Sequence, residues 1–117
     1  MIENSIMYLV ETKVEEKNLP ALKELISKMV AQTEKEEGAL VYHWSIKGDT
    51  VFTIEHYRDN AATKLHLDGF SKNFAEDYMN LVTVTACTVY GNPDAEVKAI
   101  LDGFGSVYRD TIEGFVK

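Results

Sequence analysis

The chain has 117 residues, 45% hydrophobic and 26% charged, which fits one globular domain and leaves no room for a second. Its 19 acidic and 12 basic residues give a formal net charge of -7, which disfavours nucleic acid and anionic membrane surfaces as partners. No apolar stretch approaches about 20 residues, and the first four residues lack the features of a signal peptide, so the sequence predicts a cytoplasmic protein.

The first predicted elements are a strand and a long amphipathic helix. Apolar and other side chains alternate over Ile6–Thr12, which predicts a strand. A helix is expected from about Leu19 to Glu37, with Asn18 as N-cap and Gly38 just after its C-terminus. Charged residues, including Glu36, should occupy the solvent-facing surface of this helix. The apolar stripe that predicts this helix comprises Leu19, Leu22, Leu25, Ile26, Met29 and Val30.

A hairpin follows the helix. Its arms are predicted at Leu40–Ile46 and Val51–Tyr57, and residues 47–50 supply the turn. Asp59 or Asn60 should then cap a short helix that ends near His66, because Asp68 and Gly69 interrupt the helical pattern. A second short helix is expected to carry the aromatic residues Phe70, Phe74 and Tyr78 at intervals of four.

The last long strand is predicted at Leu81–Tyr90. Its β-branched run contains the single cysteine, Cys87, so no intrachain disulfide can form. We interpret Cys87 as a small strand residue, with a reactive thiol as the alternative. Beyond Asn92 the chain is expected to be helical over Ala95–Leu101, followed by a weaker helical pattern at Tyr108, Ile112 and Phe115.

The order of elements, β-α-β-β-α-(α)-β, predicts an α+β fold with a ferredoxin-like split βαβ sheet. Residues 1–92 would form this domain. Residues 93–117 would form a C-terminal helical tail that packs on the same domain or on a dimer partner. A homodimer is expected because the first and third strands carry large apolar groups on both faces, whereas helices can cover only one face. The tail is the alternative cover for the second face.

Several segments resemble the antibiotic biosynthesis monooxygenase (ABM) domain family. They are Gly38–Tyr42, Phe52–Asp59, Ala61–Ala62 and His66–Leu67, with the Glu-x-Tyr-x-Asp run and the histidine that follows it as the most specific part. The resemblance covers about Ile6 to Tyr90. It implies the dimeric α+β barrel fold and a pocket for a small, often aromatic, organic molecule. Family members include cofactor-independent monooxygenases, and relatives isomerise small carbonyl compounds or degrade heme.

The resemblance and the residue chemistry together indicate a candidate site around His66. Its position matches the family's histidine, and an imidazole can move protons near neutral pH, although a structural histidine is the alternative. Glu55 and Tyr57 share a strand face and are candidate catalytic partners. For Glu55 an interface ion pair with Arg58 or Lys64 is the alternative, and for Tyr57 it is a core role. Candidate substrate-binding residues, which could equally be plain core, are Trp44, Tyr8, Tyr42, Phe70 and Phe74.

Three functions remain open at this point. The first is a cofactor-independent monooxygenase acting on a small aromatic or quinol-type molecule, the second an isomerase or other proton-transfer enzyme, and the third a non-catalytic ligand-binding dimer. No metal site is expected, because His43, His56 and His66 lack the spacing of zinc ligands. No cofactor is expected, because the glycines form no phosphate-binding loop. Heme is disfavoured, since Asn4 and Trp44 do not match the positions that the resemblance implies for heme-degrading relatives.

Overall fold

Five strands form one sheet in the computed structural model, which describes residue 2 and residues 4–117. The strands are β1 (Ile6–Val14), β2 (Ala39–Lys47), β3 (Thr50–Tyr57), β4 (Val82–Tyr90) and β5 (Val107–Arg109). Their order is β2-β3-β1-β4-β5. The first four strands pair antiparallel, and β5 pairs parallel to β4. The sheet has the ferredoxin-like arrangement that the sequence predicted.

Four α-helices accompany the sheet. They are α1 (Leu19–Glu34), α2 (Asn60–Asn73), α3 (Ala75–Leu81) and α4 (Ala95–Asp102), and a 3-10 turn at Glu16–Asn18 precedes α1. Their buried residues pack on the face of β1 that carries Ile6, Tyr8 and Val10. The sequence places the core there, because every second residue of β1 on this face is buried.

The core has two parts along this face. One cluster joins β1 and β4 to α2 and α4 through residues such as Leu67, Val89, Val97 and Leu101. The other joins the opposite end of the sheet to α1 and α3 through residues such as Leu22, Met29, Val82 and Tyr78. The candidate site lies where the two clusters meet.

The opposite face of the sheet carries no helix among the described residues. Apolar side chains lie next to one another there, since Leu9 of β1 is paired with Ile54 of β3, and Phe52 of β3 is paired with the charged Glu11. Ile54 is 41% exposed, and Met7, Val41 and Val107 are exposed as well. We call this surface the open face. Its apolar character is what the strand pattern predicted.

Two helix predictions need correction. The first helix ends at Glu34, and the side chain of Asn18 forms no capping hydrogen bond although the residue occupies the N-cap position. The predicted break at Asp68 and Gly69 is wrong, because α2 continues through them to Asn73. A glycine inside a helix costs only about 1 kcal/mol. Core packing of α2 and an i, i+4 ion pair between Lys64 and Asp68 offset that cost.

Gly38 is a close-contact residue rather than the end of a helix. It precedes β2, and a Cβ atom at this position would overlap the Cβ of Ala62 in α2. Its carbonyl accepts a hydrogen bond of 2.8 Å from the backbone N–H of Arg58. The glycine therefore lets the segment after α1 approach α2 directly.

The C-terminal segment packs on the same chain. Val97 and Leu101 of α4 are fully buried in the core, and β5 extends the sheet beyond β4. The helical pattern expected around Tyr108 is wrong, since residues 107–109 form β5 and residues 110–117 have no regular structure. No helix in the described part of the chain has both the length and the apolarity needed to span a membrane.

Candidate functional site

His66 reaches the interior from the middle of α2. Asp59 caps this helix, because its side chain accepts a 2.8 Å hydrogen bond from the N–H of Ala62 and its carbonyl accepts one from the hydroxyl of Thr63. His66 was expected at a helix end, but it is the seventh of 14 residues in α2. Its side chain faces the sheet and is 6% exposed.

Glu55 and Tyr57 of β3 lie beneath this histidine. Because residues two apart on a strand share a face, both point toward α2. The Tyr57 hydroxyl donates a 2.6 Å hydrogen bond to Oε1 of Glu55. Nε2 of His66 lies 3.2 Å from the same oxygen, and the Tyr57 ring lies 4.8 Å from the imidazole between centroids. The three residues that the sequence singled out for chemistry are in mutual contact.

Glu36 completes the cluster and was missed by the sequence analysis, which placed it on the helix surface. It lies just beyond α1, and its Oε1 is 3.0 Å from Nδ1 of His66, with only 11% of the side chain exposed. Its backbone N–H donates to the carbonyl of Thr33, and its own carbonyl accepts from the N–H of Ala39. Hydrogen bonds therefore fix the backbone of Glu36 on both sides. Helical periodicity gave no signal because Glu36 is not in the helix.

The two carboxylates hold the imidazole in its charged form. Burial is the largest single influence on the pKa of His66 and lowers it. The hydrogen bonds and charges of Glu36 and Glu55 together outweigh burial and raise the pKa of His66 to about 9. At neutral pH the ring is therefore an imidazolium that can donate from Nδ1 to Glu36 and from Nε2 to Glu55. Lys64 and Arg58, the alternative partners considered for Glu55, pair instead with Asp68 and with Glu37 and Asp59.

A cavity of about 30 Å³ adjoins this cluster, which we call the acid–base cavity. Of the predicted substrate-binding residues, Tyr8, Tyr42, Trp44 and Phe70 line it, whereas Phe74 does not and packs in the core cluster around α1. Tyr57 lies behind Glu55 rather than in the wall. Lining residues outside the expected set are Val10, Thr53, Leu67, Tyr78 and Phe104, and the wall also includes Glu55 and His66.

Two hydrogen-bond donors of the wall are buried without a well-aligned hydrogen bond, although Glu55 and Tyr57 adjoin the first and Tyr42 adjoins the second. The first is the hydroxyl of Tyr8 and the second is Nε1 of Trp44. Burial, reinforced by the charge of Glu55, raises the pKa of both Tyr8 and Tyr42 well above 10, so their hydroxyls stay protonated. Unpaired buried donors are uncommon and unfavourable, because each loses its hydrogen bonds to water. In a cavity wall they can serve a bound molecule.

Phe104 contributes the part of the wall that comes from the C-terminal segment. It follows α4, and its ring lies 6.1 Å from that of Phe70, between centroids. Ser106 holds the turn after it, since its hydroxyl donates a 2.7 Å hydrogen bond to the carbonyl of Leu101. The weak signals in this segment gave no indication that one of its residues reaches the cavity.

The remaining candidates lie elsewhere. Cys87 is buried in β4 and does not line the cavity, and burial raises the pKa of its thiol. His43 is exposed on β2, and His56, paired with Met7 of β1, lies on the open face, as their strand parity predicted. Across the described residues, no three histidine, cysteine, aspartate or glutamate side chains are grouped in a way that could hold a metal ion.

Comparison with known proteins identifies the fold but no family. No protein-family model matches the chain, and no curated protein matches it. Among solved structures, MupZ from Pseudomonas fluorescens is similar with a TM-score of 0.81 and 21% identity, over 97% of this chain and 95% of MupZ. Rv0793 from Mycobacterium tuberculosis has a TM-score of 0.67 and 22% identity, over 77% of this chain and 96% of Rv0793.

A third similar structure carries a described activity. SnoaB from Streptomyces nogalater, a cofactor-independent oxygenase whose structure is that of a mutant, has a TM-score of 0.64 and 12% identity. The match covers 79% of this chain and 96% of SnoaB. Identities this low establish a shared fold alone. The chain thus has the ferredoxin-like α+β fold of these structures.

Proposed function

We propose that this chain is a cofactor-independent monooxygenase of the ABM domain family, acting on a small aromatic or quinol-type molecule. The observation that carries the proposal is the buried Glu36–His66–Glu55 cluster, which reaches a cavity whose wall holds two donors without well-aligned hydrogen bonds. Such a cavity combines a base with groups that stabilise an anion. The fold shared with SnoaB, a cofactor-independent oxygenase, is consistent with it.

In the proposed reaction Glu55 is the base. Its contacts with Tyr57 and His66 engage Oε1, so Oε2 is the oxygen proposed to take the substrate proton. The hydroxyl of Tyr8 and Nε1 of Trp44 donate to the resulting phenolate, and the imidazolium of His66 adds positive charge. Each role uses a group that already adjoins the cavity.

The substrate anion then supplies all the electrons. Its ring carbon para to the oxygen forms a C–O bond with O2, and the resulting hydroperoxide loses water as its O–O bond and the C–H bond at that carbon break. For 1-naphthol the sum is C10H8O + O2 → C10H6O2 + H2O. One oxygen atom enters the product, the other leaves as water, and no external reductant is required.

A proton-transfer enzyme such as an isomerase is the alternative that the charge distribution favours. Glu55 can take a proton from a carbon next to a carbonyl while the imidazolium of His66 donates one elsewhere in the same molecule. This reaction needs no oxygen. Turnover under nitrogen therefore separates the two enzymes.

A non-catalytic dimer is the third candidate, and the size of the cavity favours it. About 30 Å³ holds one or two water-sized molecules, whereas sites for organic ligands are typically ~300–1,000 Å³. In this case the aromatic wall would be ordinary core. The charged cluster would then have a structural role only, and its removal would affect stability without affecting any reaction.

The proposed active form is a homodimer that buries the open face. Apolar patches of several hundred Å² are uncommon on monomers, and two-fold pairing is the commonest way to cover one. Ile54 and Met7 are the exposed apolar residues on its two central strands. A paired sheet would place both acid–base cavities on the outer layers, away from the dimer contact.

Oxygen uptake with 1-naphthol and anthrone in metal-free buffer tests the proposal. Wild type should consume one O2 per quinone formed, incorporate one atom of ¹⁸O from labelled O2 and release no peroxide. Glu55→Gln keeps the shape of the side chain and an acceptor for Tyr57 but removes the base. We expect it to lower kcat/KM about 100- to 10,000-fold.

The matched control is Asp68→Asn, which makes the same carboxylate-to-amide change at an exposed position of α2. It should retain wild-type activity. Equal uptake by wild type and Glu55→Gln would overturn the assignment of the base. Conversion that persists without oxygen would indicate the proton-transfer enzyme, and absence of any turnover with a folded wild type would indicate the non-catalytic dimer.

A further inference from the structure

A second, larger recess lies on the other side of Trp44. It has a volume of about 310 Å³ and is formed by α1 and the β2–β3 hairpin, with Leu19, Ile26, Ile46 and Val51 as its apolar lining. We call it the outer groove. Its volume lies at the lower end of the range for organic-ligand sites, whereas that of the acid–base cavity is about a tenth of it.

Trp44 is the one residue, among those described, that lines both spaces. It lies on β2, one of the two edge strands of the sheet, so only one neighbouring strand restrains its backbone. Its ring packs edge-to-face against Tyr42 at 5.8 Å and Tyr78 at 6.1 Å, between centroids. The indole is therefore the partition between an apolar surface groove and a buried set of acid–base groups.

The indole N–H is the polar group of this partition. Nε1 of Trp44 is buried and forms no well-aligned hydrogen bond, with the Tyr42 side chain as its nearby polar neighbour. A carbonyl or phenol oxygen of a ligand that passes from the groove into the cavity would satisfy it. Without such a ligand the donor remains desolvated, which proteins generally avoid.

We infer that Trp44 is a gate and specificity residue, whose indole moves to join the two spaces into one elongated site. The ligand is an elongated molecule: a planar oxygen-bearing head lies beside Glu55 and His66, and an apolar chain lies in the outer groove. The inference depends on the proposed function in one respect only, namely which end of the ligand reacts. It explains how a cavity too small for an aromatic ring can serve an aromatic substrate.

Binding of 2-alkyl-1,4-naphthoquinones tests the gate without requiring turnover. These compounds resemble the proposed product and have no phenolic proton to give up. Trp44 is the only tryptophan in the sequence, so quenching of its fluorescence reports binding at the gate itself. We expect affinity to rise about fourfold for each methylene added between methyl and butyl, as the chain fills the groove.

The kinetics of binding distinguish a gate from an open site. For wild type the observed binding rate should level off at high quinone concentration, because movement of the indole limits entry. Trp44→Ala removes the partition, so its rate, followed by quinone absorbance, should rise linearly with concentration. Linear kinetics in wild type would overturn the gate.

Ile46→Glu places a charge in the outer groove at a residue that is 47% exposed. It should abolish the dependence of affinity on chain length, whereas Leu65→Glu, at an exposed leucine of α2, should leave it unchanged. Unchanged chain-length dependence in Ile46→Glu would contradict the inference. So would dissociation of a wild-type dimer by this variant, since a partner subunit would then occupy the groove.

The gate and the proposed function can fail separately. If quinone binding depends on chain length but no oxygen is consumed with 1-naphthol, the gate is supported and the monooxygenase assignment is overturned. Oxygen uptake with affinities independent of chain length would overturn the gate alone.

Discussion

The two faces of the sheet reverse the usual distribution of polarity. The helix-covered face buries two carboxylates and an imidazolium, with Glu55 and His66 only 6% and 5% exposed. The open face exposes apolar residues such as Ile54 and Met7. Buried charge is unfavourable unless paired, and exposed apolar area is unfavourable unless covered. Neither arrangement is the one that would be most stable for an isolated chain.

This contrast indicates a different role for each face. On the covered side each charge has a partner, so the cluster is tolerated, and it adjoins a cavity where charge can act on a ligand. On the open side a second copy of the chain would supply the missing cover. The proposed chemistry on one side and the proposed association on the other make testable demands on individual residues.

The largest effect is expected from a charge on the open face. In Ile54→Glu a dimer would have to bury an unpaired carboxylate from each subunit, which costs about 3–5 kcal/mol or more. The dimer dissociation constant should therefore rise at least about 100-fold. Analytical ultracentrifugation over a range of concentrations measures the change.

Leu65→Glu is the control for this experiment, because Leu65 is 61% exposed but lies on the helical layer. It should leave the dissociation constant unchanged. A wild-type chain that is monomeric at high micromolar concentration, or an Ile54→Glu variant that stays dimeric, would remove the association role from the open face.

The next effect concerns the covered face and depends on pH. The pKa of His66 is raised from 6.5 to about 9 in the folded chain, so its stabilising contribution is complete below pH 6.5 and is lost as pH rises through 9. Between pH 6 and pH 10 the free energy of unfolding should fall by about 3 kcal/mol more in wild type than in His66→Gln. Urea titrations at a series of pH values measure this difference.

His43→Gln provides the comparison for a histidine outside the cluster, since His43 is exposed on β2. It should follow the wild-type pH profile. If wild type and His66→Gln instead lost stability in parallel with rising pH, the imidazolium would not be held by its two carboxylates.

The smallest effect tests how tightly the covered face is packed beside the cluster. Gly38→Ala should destabilise the fold by about 1–3 kcal/mol, because the new methyl group would overlap that of Ala62. Adding Ala62→Gly removes the overlap and should recover most of the loss, beyond its own cost of about 1 kcal/mol. Adding Ala61→Gly, one residue earlier and exposed, should recover none. If the effects of Gly38→Ala and Ala62→Gly on the free energy of unfolding are additive, the segment before β2 and α2 are not in close steric contact.

Most of the fold follows from local patterns in the sequence. The alternation of side chains along β1 placed Tyr8 and Val10, which are buried, on the face opposite Leu9, which is half-buried. The spacing of apolar residues in α1 predicted which of its residues are buried. Errors occurred where tertiary contacts override local preference. Gly69 breaks no helix because α2 is packed on the core, and residues 107–109 form a strand because β4 offers a free edge.

The site was predictable in part for a related reason. Glu55 and Tyr57 share a face by parity, and His66 lies nearly two helical turns beyond the capped start of α2, facing the core. Glu36 and Phe104 could not be found, because each lies in a segment without periodicity and reaches the site through long-range packing. A lone carboxylate in a loop looks the same in sequence whether it faces water or an imidazole.

The position of Phe104 has a consequence for how such a pocket can diversify. This wall residue follows α4, outside the βαββαβ unit that supplies Glu55, His66 and Glu36. Substitution there, or a different turn between α4 and β5, would reshape one end of the cavity while Glu55, His66 and Glu36 keep their positions. The size of the cavity can therefore change independently of the acid–base cluster.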